Sequence, residues 1–355
     1  MVVLARINAH MEDQAKSNKV QSEAALSLAV LAVPRRRAGR LEKGALVMNE
    51  CDRLVGLVPG LKDFFYLIER KGWWGMNDQV SADIKLVEDL TLWEETKRLF
   101  PGAILLEFAN ADFVDTDKFY PLGSALRYSG IQIAAWQQFK RHDLFVRAAA
   151  LLRPRKFIKF GHLWGRSRFW EKTPETELRR ETISLARDLG AGISFPYRWA
   201  TGLHGLSNDP AHVNRIINSA RLGILTSAFE GVNRFKMECL SANIPVLVPL
   251  DTTGPTKKHI NAQTGLFFEP TPEKLAEAIE YAEKNYSQFS PRQYILQNTG
   301  NKKALAALRG ALQSLARRDG SSQDFAEIYF DGRNESLEWD QTKVLSIIRR
   351  LIAAA

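Results

Sequence analysis

Three features of this chain predict an α/β fold built on a parallel sheet with helices on both faces. From about Ser129 onward, short apolar runs alternate with amphipathic segments. Three of those segments open on the same device, a capping side chain followed by proline, at Thr173-Pro174, Asp209-Pro210 and Thr271-Pro272. The length, 355 residues, is enough for about two domains and a sizeable core.

The first 110 or so residues are the least regular part. Ala24 to Val33 is the most apolar run and is followed by Pro34-Arg35-Arg36-Arg37. It reads as a core strand or helix with a basic turn after it, or as a membrane-surface patch. Arg53 to Val58 reads as a strand, and Leu61 to Arg70 as a helix ending at Lys71-Gly72. Glu88 to Phe100 reads as a helix stopped by Pro101-Gly102, and Ala103 to Phe108 as a strand.

The regular part then begins. Strands are expected at Ile131–Ala135, Phe157–Gly161, Ile193–Phe195, Leu222–Leu225 and Pro245–Leu250. Between the first two lies a helix, Arg141 to Leu152, with Leu144, Phe145, Ala148, Leu151 and Leu152 on one face. The Thr173 helix runs to a natural stop at Gly190, and the Thr271 helix turns Leu275, Ala278, Ile279 and Ala282 inward. A last amphipathic helix covers roughly Asp340 to Ile352. Open parallel sheets bind ligands outside the carboxyl ends of their strands, which puts Thr226 to Asn233 on the binding edge.

Composition narrows the partners. The net charge is +9, which favours anionic partners such as nucleotide diphosphates or an anionic membrane surface. Nucleic acid is disfavoured, since there is no basic-aromatic RNA motif and no zinc-finger spacing. Two cysteines, Cys51 and Cys239, give neither a disulfide framework nor a metal site, and they suit a reducing, cytoplasmic setting. No run approaches the roughly 20 apolar residues that cross a bilayer. Walker, His-Glu-x-x-His, Gly-x-Ser-x-Gly and Cys-x-x-Cys motifs are absent. Trp73-Trp74 and Trp164 could stack on sugars, although aromatic residues are more often core.

The chemistry concentrates between Ala220 and Ala276. Two glutamates, Glu230 and Glu238, are separated by seven residues, the first in a loop and the second two turns into a helix. The backbone N–H groups of Gly231, Val232 and Asn233 lie at the helix N-terminus, where free N–H groups and the helix dipole make an anion site. A sugar diphosphate laid there would have carboxylates on either side to accept hydrogen bonds from its hydroxyls. Glu238 could equally pair with Arg234 one turn back. Lys140 alone could be a solvated lysine at a helix start.

The surrounding pattern resembles the donor half of retaining GT-B glycosyltransferases, the family 4-like group. The matching residues are Ile224-Leu225-Thr226-Ser227, Glu230-Gly231, Glu238, Ile244-Pro245-Val246, Thr264 to Phe268 and Pro272 to Ile279. Upstream, Val114 to Pro121 resembles the family's interdomain linker, and Lys140 to Leu144 its Lys-Gly-x-Asp-Leu segment. The likeness covers residues 113 to 310 well and 51 to 70 weakly.

The resemblance implies a Rossmann-like donor domain at 113–330, a shortened acceptor-side domain at 1–112, and a helix within 331–355 crossing back to it. It implies that Glu230 is catalytic, near the donor sugar hydroxyls, and that Glu238 binds the ribose. Lys140 would contact the donor phosphates, beside Gly231, Val232, Asn233 and Arg234. No metal and no cofactor is implied, only a nucleotide diphosphate sugar as donor substrate and a carbohydrate or lipid-linked acceptor. The setting implied is cytoplasmic, with room for peripheral contact at the inner face of a membrane.

The sequence also departs from the family. Ala134-Ala135 replaces the usual Gly-Arg pair, with Arg141 or Arg234 as candidate substitutes, and Lys257-Lys258 stands near an expected glutamate. The front half has no Gly-rich acceptor loop and no counterpart of the catalytic-side histidine, for which His10 is a poor candidate. The short front half suggests a truncated product, a reduced enzyme, or a half completed by a partner chain. The alternative to an active enzyme is therefore a degenerate transferase that serves as a nucleotide-sugar or partner-binding module.

Overall fold

Two sheets built mainly of parallel strands, joined by a linker, organise the computed structural model, which describes residues 28–70, 79–162, 172–196, 209–332 and 341–355. Expectations for His10, Trp73, Trp74 and Trp164 fall outside these residues, as does the start of the Ala24–Val33 run.

The first sheet contains β1 (Leu28–Ala32), β4 (Gly44–Met48), β5 (Phe65–Glu69), β6 (Ile84–Leu86) and β7 (Ile104–Leu106), in that spatial order. An exposed arginine-rich hairpin, β2 (Arg35–Arg37) and β3 (Arg40–Glu42), precedes β4. Every residue of β4 and β5 is buried, as expected of near-continuous apolar runs in a parallel sheet covered on both faces. One face is covered by helix Gly300–Arg318 through Ala304, Leu305, Leu308, Leu312 and Leu315. The other is covered by helices Cys51–Leu57 and Gln341–Ala353, the latter through Val344 and Ile348. The chain has therefore returned to the first sheet by the Gly300 helix, well ahead of the 331 boundary expected from sequence.

Two early elements exchange type relative to expectation. Arg53 to Val58 belongs to helix Cys51–Leu57 rather than a strand. Cys51, Leu54 and Val58 recur at helical spacing against the core, and the Asp52 carboxylate in the first turn accepts the N–H groups of Val80 and Ser81 at 2.9 and 2.6 Å. Leu61 to Arg70 is one helical turn, Leu61–Phe64, followed by strand β5. A five-residue apolar run is ambiguous by periodicity alone, and here burial on both faces makes it a strand. The Glu88–Phe100 region holds a short 3-10 turn, Leu90–Leu92, and helix Trp93–Leu99.

The second sheet is wholly parallel. Its strands are β8 (Tyr128–Ala135), β9 (Phe157–His162), β10 (Ile193–Ser194), β11 (Ala220–Ile224), β12 (Val246–Pro249) and β13 (Gly265–Phe268), ordered β10-β9-β8-β11-β12-β13. The three cap-and-proline helices form as expected. The Thr173 hydroxyl accepts the Thr176 N–H, the Asp209 carboxylate accepts the Ala211 N–H, and the Thr271 hydroxyl accepts the Lys274 N–H. From β8 the chain moves outward to β9 and β10, then returns to place β11 on the other side of β8. The crevice at a reversal of strand order is where such sheets hold ligands.

The linker, residues 114–121, is fixed by Arg292. Its guanidinium donates to the carbonyls of Thr116, Phe119 and Ser241 at 3.0, 2.9 and 2.7 Å. That ties the linker to the C-terminal end of helix Arg234–Ser241, on which Glu238 is carried.

Candidate functional site

The loops following β8 and β11 meet at the reversal point because the two strands are paired, with Leu222 opposite Gly130. The Ala228 N–H donates to the Phe139 carbonyl at 2.8 Å, and the Phe139 and Phe229 rings stack at 4.1 Å. Arg141 adopts a left-handed backbone, φ 47°, as it leads into helix His142–Leu151. Its guanidinium donates to the carbonyls of Thr226 and Ser227 and makes a two-pronged ion pair with Asp251 at 2.6 and 2.9 Å. Arg141 therefore acts as a staple across three loops.

Inside that frame Lys140 and Glu230 form a buried ion pair, each side chain only 8% exposed. The Ser227 hydroxyl donates to the same Glu230 oxygen at 3.2 Å. The Glu230 backbone is fixed by its N–H to the Thr253 carbonyl, 3.1 Å away. Gly254 permits this approach. Its φ is +84°, and a Cβ there would fall 2.4 Å from the Glu230 carbonyl oxygen. Behind the pair runs a buried polar relay. Lys159 donates to Gln132 at 2.6 Å, Gln132 to Thr226 at 2.8 Å, and Thr226 to the Lys140 carbonyl. Burial and the nearby Lys140 charge push the Lys159 amine well below its ordinary pKa.

Glu238 lies in the second turn of helix Arg234–Ser241 and pairs with Arg234 at 3.4 Å. Arg234 also donates to the Asp331 carbonyl, so it bridges the helix to the chain's late segment. The Asn233 side chain caps the helix by accepting the Lys236 N–H at 2.8 Å. Lys236 is fully buried and donates to the Thr256 and Lys258 carbonyls at 2.7 and 2.6 Å. Burial lowers its pKa to about 7.

The structure thus brings Lys140, Glu230, Glu238, Gly231, Val232, Asn233 and Arg234 to one edge of the second sheet, with one correction to the expected anion site. The Val232 N–H does not stand open. It donates to the carboxylate of Glu88, which follows β6 in the first sheet's half of the chain. Burial raises Glu88 to about 7, with Asp112 and Glu230 adding to the rise and the Val232 N–H opposing it.

Sequence reasoning missed a second bridge between the halves. Asp112, fully buried in the turn Asn110–Phe113, accepts from Ala109 N–H at 2.7 Å, Thr299 at 2.9 Å and Lys258 at 3.2 Å. It also faces His259 Nε2 at 2.7 Å. Burial raises the Asp112 carboxyl, but the His259 hydrogen bond and the Lys258 charge outweigh it and hold the group well below the usual carboxylate range. Burial lowers His259 despite Asp112, so the ring is neutral near pH 7. Its Nε2–H then donates to Asp112, and Nδ1 faces the Tyr294 hydroxyl at 3.3 Å. The signal was an Asn-Ala-Asp turn at the domain junction, unremarked because its partner lies 147 residues away. Of the two expected loop lysines, Lys258 belongs to this bridge and Lys257 is exposed.

Among the described residues, no group of His, Cys, Asp and Glu is arranged to hold a metal ion. Among them, too, no helix is long and apolar enough to cross a membrane.

No protein-family model matches the chain. No curated protein matches it in sequence. Solved structures do match its fold. Sucrose-phosphate synthase from Thermosynechococcus elongatus aligns with a TM-score of 0.56 at 16% identity, over 75% of this chain and 71% of that one. Anabaena HepE, solved with UDP and glucose, aligns at 0.54 and 13% identity over 74% and 75%. A glycosyltransferase from Rickettsia africae aligns at 0.52 and 14% identity over 71% of each. The chain therefore has the α/β fold, with parallel sheets, of the GT-B glycosyltransferases over about three quarters of its length.

Proposed function

We propose that this chain is a retaining glycosyltransferase that moves a sugar from a nucleotide diphosphate sugar to a carbohydrate or lipid-linked acceptor. The observation that carries the reading is the meeting of Lys140 and Glu230 at the strand-order reversal, with Glu238 on the adjoining helix. In this reading Glu230 is the catalytic carboxylate at the donor sugar and Glu238 holds the ribose. Lys140 and the N–H groups of Gly231, Val232 and Asn233 take the diphosphate, and Arg234 orients Glu238 through their ion pair. Fixed cations and N–H groups aimed at the departing diphosphate stabilise the charge that develops there, an electrostatic route to a lower barrier. The resemblance to HepE, whose structure holds UDP and glucose, supports a sugar nucleotide as donor. In this reading the second sheet's half, from 113 to the start of the Gly300 helix, binds the donor, the first sheet's half lies on the acceptor side, and no metal or cofactor takes part. The exposed Arg35–Arg37 strand suits work at the inner, anionic face of a membrane.

A second reading, a degenerate transferase that binds without catalysis, is favoured by one observation. Glu230 and the Val232 N–H are engaged by Lys140 and Glu88 within the chain. Transfer separates the two readings. The purified chain, given labelled UDP-, ADP- and GDP-sugars and a lipid and carbohydrate acceptor fraction, should place label in the acceptor. Glu230→Gln should reduce it by about a hundredfold or more, on the scale of losing one electrostatic stabiliser. Donor binding without any transfer would leave the binding module.

A further inference from the structure

The groups given roles in donor binding so far lie in the second sheet's half, yet two side chains from the first sheet's half reach the same place. Glu88 accepts the Val232 N–H at the start of the Glu238 helix. Arg70, just after β5, has a sealed Nη1 with no hydrogen-bond partner among the described residues, and its charge acts on both Glu88 and Arg234. Its remaining N–H groups lie against the Asn110 side chain once that amide is oriented to accept them. A carboxylate on a helix-start N–H, with a buried guanidinium near it, has the arrangement of a bound anion. An unpartnered buried guanidinium N–H costs stability unless something accepts from it.

Resting on the nucleotide-sugar reading, we propose that Arg70 and Glu88 complete the donor site from the first half of the chain. Glu88 holds the Val232 N–H until a donor phosphoryl oxygen replaces it, and Arg70 then donates to that diphosphate.

The charge balance favours the exchange. Glu88 faces Asp112 from the linker turn, Glu230 from the loop, Lys236 from the helix and Arg70 from β5. Two of those four are carboxylates, and together with burial they raise Glu88 to about 7. A diphosphate arriving beside it raises the group further, so the carboxyl takes up a proton as the donor binds. Protonated, it can donate to the same phosphate oxygens. The sign follows. A group whose pKa is raised in the complex makes affinity rise as pH falls from its value there to its free value, and level off below that.

The test is calorimetric titration of UDP-glucose, ADP-glucose and GDP-mannose, whose diphosphate diesters do not titrate near neutrality. Wild type, Glu88→Gln and Arg70→Gln are compared at pH of about 6 and about 8. Wild type should bind about tenfold tighter at the lower pH, the linkage expected of one carboxyl with a pKa near 7. Glu88→Gln should bind with little pH dependence, which excludes Lys236 and His259 as the source of the slope. Arg70→Gln should lose about tenfold at both values, the scale of one charge-assisted hydrogen bond. A flat wild-type profile, matched by unchanged binding in both variants, overturns this role and leaves the donor reading intact. No binding by any of the three proteins at either pH overturns both.

Discussion

Replacing Glu230 by alanine should destabilise the fold by about 3–5 kcal/mol, because it leaves Lys140 buried and charged without its partner. The two side chains are equally sealed, each 8% exposed, so water can replace little of what is lost. Ser227 loses its acceptor in the same step. The pair itself is a different matter. Two buried charges together gain little over well-packed apolar groups, so Lys140→Met with Glu230→Leu should recover most of the stability. Denaturant unfolding of the single and double variants reads this directly. Donor binding should stay lost in the double variant. That pattern would place the pair's value in the site rather than in the fold. A single variant as stable as wild type would show that the pair is solvated in practice and the pocket open.

Asp112→Ala should have an effect of similar size, about 3–5 kcal/mol, by removing the acceptor shared by four donors. His259, Lys258 and Thr299 belong to the second half of the chain, so their loss should loosen one half from the other. Limited proteolysis should then cut at the linker, residues 114–121, faster than in wild type. The pH dependence has a definite sign. Asp112 is held below its unfolded value, so its stabilisation is complete above the ordinary carboxylate pKa. It is lost as the pH falls through the folded value. His259 is lowered in the fold, so the unfolded chain binds its proton first, and stability begins to fall below about pH 6.5. Wild type should therefore lose melting temperature on mild acidification. Asp112→Ala, without the carboxylate that raises His259, should lose at least as much down to the ordinary carboxylate range and less below it. A parallel fall in the two proteins below that range would remove this bridge as the cause.

What could be read in the sequence was local. The caps at Thr173, Asp209 and Thr271 fix helix starts within a few residues, and each cap is present in the structure. Strand–helix alternation then orders the second sheet and puts the residues after β11 on its binding edge. The first sheet was harder. The run Phe65-Tyr66-Leu67-Ile68 is apolar on both faces, and its neighbour Arg53 to Val58 is short, so periodicity could not assign either. The site showed the same division. Glu230, Glu238 and Lys140 stand out through the family resemblance of the segments around them, not through spacing alone. Glu88 does not, since it lies 144 residues from the N–H it engages and in the half with the weakest pattern. The same holds for Arg70 and Asp112, whose importance depends on burial and on partners that only the folded chain supplies.

The missing arginine at Ala135 finds a partial answer in this geometry. Arg141 staples Thr226, Ser227 and Asp251, and Arg234 ties Glu238 to Asp331, so both candidate substitutes hold protein groups. Lys140 is the buried cation that reaches Glu230 at the sheet edge.

The most direct measurement is calorimetric binding of UDP, GDP, ADP and their common sugar conjugates, with wild type beside Glu238→Ala. Selective binding of one nucleotide, weakened about tenfold or more by the loss of a hydrogen bond to a charged group, is the result expected of a donor site with Glu238 on the ribose. Equal binding by both proteins would contradict the role of Glu238. Binding of none of these nucleotides by wild type would contradict the donor site itself.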